Sequence, residues 1–146
     1  MNLSDSLYQW ISRISSSEYG PACPYAMKAF IDKKVKLEDD GSKIHDLLPL
    51  KDDISVCVVP RLGIKYEELS LICNYYNDIF KDYIFLDTHP DETLTLNGKK
   101  TVWEHPAIII QRKDELIEAR FNLNKIGFYN NWDKDFLTDL GISIKD

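Results

Sequence analysis

The chain has 146 residues and a mass of 17.0 kDa, with 44% hydrophobic and 29% charged residues, a balance that fits one folded domain over residues 1–146 and excludes a disordered or fibrous chain. Against 18 basic side chains stand 24 acidic ones, a formal charge of −6, which argues against a binder of duplex nucleic acid, because that role clusters Lys and Arg on phosphates. The longest apolar tracts are strand-sized, as at Ile54 to Pro60, so no membrane span is expected.

Leu7, Trp10, Ile11 and Ile14 recur at helical spacing, with Ser4 or Asp5 as the cap. Pro24 suits the first position of a second short helix and would place Cys23 at its N-cap. Lys34 to Glu38 alternates, with Val35 and Leu37 on one face, and predicts a first strand. Ser42 to Leu50 fits a turn of helix stopped by Pro49, and Ile54 to Val59 predicts a central strand buried on both faces. A helix follows from about Tyr66, with an apolar stripe of Leu69, Ile72, Cys73, Tyr76, Ile79 and Phe80. Tyr83 to Asp87 predicts a third buried strand. Thr93 to Val102 predicts a hairpin around Asn97-Gly98, a pair able to take the two positive φ angles of a type I′ turn. Pro106 to Ile110 is the last buried strand. Asp114 and Asp133 cap two closing helices, the first carrying Leu116, Ile117, Arg120 and Phe121. The order predicts an α+β fold or α/β sandwich, with about four main strands and with helices at both termini.

Trp10-Ile11 and Cys23-Pro24-Tyr25-Ala26, with the later Thr88-His89-Pro90 step, resemble a bacterial domain-of-unknown-function family. Its members carry a Trp-Leu or Trp-Ile pair, then Cys-Pro-Phe-Ala, then a strand running into His-Pro. The parallel extends to Val56 to Pro60, to Asn77-Asp78-Ile79-Phe80 and to Pro106 to Ile117, and covers about residues 10 to 120. Tyr25 stands where the family has Phe, and His105-Pro106 replaces a Tyr-Pro or similar pair. The resemblance implies a shared fold and points at residues without naming a reaction.

Three cysteines, Cys23, Cys57 and Cys73, with no C-x-x-C pair and a polar, acidic start to the chain, suit reduced thiols and a cytoplasmic location. A thiol at a helix N-terminus is stabilised as thiolate, which makes Cys23 a candidate nucleophile; the competing reading packs it under Trp10 and Phe30. Cys57 and Cys73 fall on core positions. His89 and His105 each precede a proline, which restrains the direction of the imidazole. If their strands are antiparallel neighbours, both steps lie at one end of the sheet, and Asp87 shares a face with His89. Two imidazoles and a carboxylate meet the minimum for a metal site, or for general acid–base work, and also fit plain hydrogen bonding at strand ends. The glycines form no phosphate cradle, there is no Ser-centred elbow motif, and no particular cofactor is indicated. Two readings follow. One is a small-molecule or catalytic site of Cys23, Asp87, His89 and His105 acting on a small-molecule ligand. The other is an interaction or accessory subunit that binds a protein partner and exposes an apolar patch.

Overall fold

The computed structural model describes residues 2–14, 29–92, 95–96, 99–125, 130 and 134–139. Helix α1 spans Leu3–Ile14. Its cap is Asn2, whose Oδ1 accepts the Asp5 N–H at 2.8 Å, and not Ser4 or Asp5, because the helix begins two or three residues earlier than the apolar spacing shows. The helix expected at Pro24 lies outside the described residues. Residues 29–31 are helical and end in a Schellman arrangement, in which the Lys34 N–H reaches the Ala29 carbonyl and the Lys33 N–H that of Phe30, with Lys33 at a φ of +60°.

Strand β1 (Val35–Leu37) is followed by the short helix α2 (Ile44–Leu47), strand β2 (Val56–Pro60), helix α3 (Tyr66–Ile79) and strand β3 (Tyr83–Thr88). Strands β4 (Thr95–Leu96) and β5 (Lys99–Lys100) pair antiparallel as a separate ribbon, with Leu96 opposite Lys99. That is the expected hairpin, although its Asn97-Gly98 turn lies outside the described residues. Strand β6 (Ala107–Arg112) runs directly into helix α4 (Lys113–Lys125), and α5 covers Lys134–Asp139. Asp114 therefore sits inside the first turn of α4 rather than at its cap, and Asp133 lies outside the described residues. No described helix is long and apolar enough to cross a membrane.

The main sheet has the order β1-β2-β6-β3. Strand β1 is parallel to β2, while β6 is antiparallel to both β2 and β3. Strands β1, β2 and β3 thus run one way, and β6 lies between the two strands that α3 connects. The fold is α+β, as predicted. Strand β3, however, is an edge strand and not a fully buried one: only Phe85 and Thr88 along it are buried. The edge strand β1 carries a Lys36–Glu38 ion pair of 3.0 Å, and this bond and charge raise the Lys36 pKa.

Period-two alternation sends side chains to both faces of the sheet. On one face, α2 and α3 cover Cys57, Val59, Phe85, Ile108 and Ile110 with Ile44, Leu69 and Cys73. On the other, α1 lays Leu7, Trp10, Ile11 and Ile14 over Val58, Ala107 and Trp103. Each buried Leu or Ile contributes roughly 1.5–3 kcal/mol. Arg112 ties the β2 approach to β6. Its Nε donates to the Ile54 carbonyl at 3.0 Å, and Nη2 donates to those of Leu50 (3.0 Å) and Lys51 (2.6 Å).

Candidate functional site

Both His-Pro steps lie at the same end of the sheet. Thr88 at the end of β3 is opposite Ala107 at the start of β6, and the Arg61 N–H after β2 donates to the Pro106 carbonyl at 2.8 Å. Backbone pairing brings the two steps together, but the side chains part.

His89 belongs to the α3 side. Its buried ring meets Tyr66, the first residue of α3, edge-on at a centroid distance of 5.7 Å. Nδ1 accepts the Asp91 N–H at 3.0 Å, and Nε2 lies 2.8 Å from the Ile64 carbonyl. A backbone N–H can only donate and a carbonyl can only accept, so the ring is the neutral Nε2–H tautomer with both nitrogens committed.

His105 belongs to the α1 side. Its half-buried ring stands edge-on to Trp103 at 5.1 Å, and its Nε2 is 3.8 Å from Glu104 Oε1. That same oxygen accepts the Ser6 hydroxyl at 3.0 Å, and Ser6 Oγ accepts the indole N–H of Trp103 at 3.0 Å. The Trp10 indole donates to the Thr101 carbonyl at 2.8 Å. These bonds fasten α1 to residues 101–105.

Asp87 is opposite Ile108 and two residues from Phe85, so it shares the face of Phe85 toward α3, near Cys73. The Cys73 thiol is pushed up to about 12, chiefly by burial and then by the Asp87 charge, with Arg61 opposing. Burial likewise pushes the Cys57 thiol up to about 12, helped by Glu38. Both are inert core thiols at neutral pH. Among the described residues no group of three or more His, Cys, Asp and Glu is placed to hold a metal ion, so His89, His105 and Asp87 do not form a ligand set. Cys23 lies outside the described residues.

The outer surface of α3 differs in kind. Leu71, Tyr75 and Ile79 are 69%, 60% and 43% exposed and recur every four residues, so they form one ridge on the face away from the sheet. Glu67, Glu68 and Asp78 are exposed on the same side, and α3 contains no Lys or Arg. Ile79 thus leaves the inner stripe to which the spacing assigns it. Leu71 and Tyr75 are the residues that sequence reasoning missed; the signal was a helix with two apolar series, one more than a single core contact needs. Phe121 and Ile117 of α4 are also exposed, at 57% and 52%.

Comparison of the chain with protein-family models, with curated proteins and with solved structures returned no match.

Proposed function

We propose that the chain is a protein-docking module whose docking face is the outer surface of α3. The observation that carries this reading is the exposed ridge of Leu71, Tyr75 and Ile79. Large apolar side chains grouped on one surface cost solvation and mark places where another surface sits, whereas single exposed ones do not. The commitment of both His89 nitrogens to backbone groups weighs the same way, because it leaves that ring no free atom for a substrate.

The occupant is a different chain rather than a second copy. A two-fold contact presents the same patch from both sides and so doubles the acidic charge of Glu67, Glu68 and Asp78 within one contact, with no cation of α3 to offset it. The test places a photoreactive benzoylphenylalanine at Tyr75 and, as control, at exposed Lys51. The expected result is one dominant adduct at position 75, absent at 51 and lost with Leu71→Asp, from a protein that then binds the purified wild-type chain. Equal labelling at both positions, or a dimer of the pure protein that Leu71→Asp dissociates, overturns the reading.

A further inference from the structure

We infer that the segment received by α3 is a basic amphipathic helix, an inference that rests on the docking reading above. The first argument is backbone accounting. The flank of a helix offers no free N–H or C=O, so an extended segment laid across it leaves its own backbone groups unpaired, whereas a helix arrives with them satisfied. A strand would instead need an open sheet edge. At β3 the Phe85 N–H and carbonyl are already taken by the side chain of Asn77.

The second argument is shape. Leu71, Tyr75 and Ile79 lie along an i, i+4 row, the ridge that fits the groove between equivalent rows of a facing helix. At 1.5 Å per residue the row spans about 12 Å, a match for two to three turns of partner. The third is charge. By helical period Glu68 falls in line with the row one turn before Leu71, and Glu67 and Asp78 flank it. With no cation on α3 and −6 on the whole chain, the rim attracts Lys and Arg and repels acidic segments and anionic lipid alike.

The test uses two synthetic helical peptides with the same Leu row, one with Lys and one with Glu on its polar face. Binding is read by fluorescence anisotropy and by amide shifts of the intact chain. The Lys peptide is expected to bind at least about tenfold more tightly at low salt, with the gap closing near ~0.5 M salt. Shifts should fall on residues 67–79, and the triple variant Glu67→Lys, Glu68→Lys, Asp78→Lys should reverse the preference. Equal affinity for the two peptides overturns the basic partner and leaves the docking face standing. Binding that spares the α3 amides, or no binding of either peptide, overturns both.

Discussion

The carboxamide of Asn77 takes both backbone groups of Phe85: Oδ1 accepts its N–H at 2.8 Å, and Nδ2 donates to its carbonyl at 2.9 Å. One side chain from α3 thereby stands in for a neighbouring strand along the edge of β3, where open backbone groups invite pairing with other chains.

Asn77→Ala should therefore lower stability by about 1–3 kcal/mol, since two partly buried backbone groups lose their partners. Asn77→Asp keeps the acceptor but loses the donor to the Phe85 carbonyl, so it should not restore wild-type stability. Urea unfolding measures both variants, and amide exchange at Phe85 should accelerate in Asn77→Ala, which loses the acceptor, and much less in Asn77→Asp, which keeps it. Unchanged exchange in Asn77→Ala would show that the edge is closed by something other than Asn77.

For His89 the expected tautomer carries its proton on Nε2, and nitrogen-15 NMR of the ring reads this directly. His89→Ala should cost about 1–3 kcal/mol, because the Ile64 carbonyl and the Asp91 N–H both lose a partner. A ring protonated on Nδ1 instead would contradict the two contacts.

The thiols of Cys57 and Cys73 should resist brief alkylation of the native protein, so that any label taken up by the folded chain sits on Cys23. Their pKa values also link stability to pH. Each is raised from 9.0 to about 12 on folding, so between these values the unfolded chain loses the proton while the folded chain keeps it. The stabilising contribution of each thiol is complete below pH 9 and falls as pH rises toward 12. Thermal melts of Cys57→Ala beside wild type should converge across that window. A constant gap would refute the linkage.

Lys33 holds a φ of +60° at the end of the helical turn 29–31, a conformation in which a side chain crowds the following carbonyl. Lys33→Gly removes the crowding and should raise stability by about 0.5–1 kcal/mol net of the glycine's greater unfolded-state freedom. A loss of stability would mean that the Lys33 side chain makes a contact of greater value than the strain.

Periodicity read well where it had one meaning. Val35 and Leu37, the run through Val59 and the run through Ile110 alternate or stay apolar without competing patterns, and they became the predicted strands. On α3 it placed Leu69, Ile72, Cys73, Tyr76 and Phe80 correctly on the inner stripe and misplaced Ile79 alone, because a second apolar row, Leu71 and Tyr75, runs beside the core row and Ile79 sits at the border between them. The candidate site split for a different reason. Strand pairing legibly gathers His89 and His105 at one end, but the direction of each ring follows from Ile64, Tyr66 and Trp103, contacts across 25 and 23 positions for the first and local sterics for the second. Asn77 was visible only as a letter in a short motif; its role needed the edge position of β3.

The insertion of β6 between β2 and β3 also has a temporal side. During synthesis β1, β2, α3 and β3 emerge first; β1 and β2 can pair with each other, but β3 has no strand to bond until residues 107–112 arrive. At roughly 5–20 residues per second, the gap between Thr88 and Ala107 leaves the nascent chain waiting for about 1–4 s with the floor of its core uncovered. Ribosome stalling at successive lengths should show the sheet closing in one step, when its middle strand clears the exit tunnel.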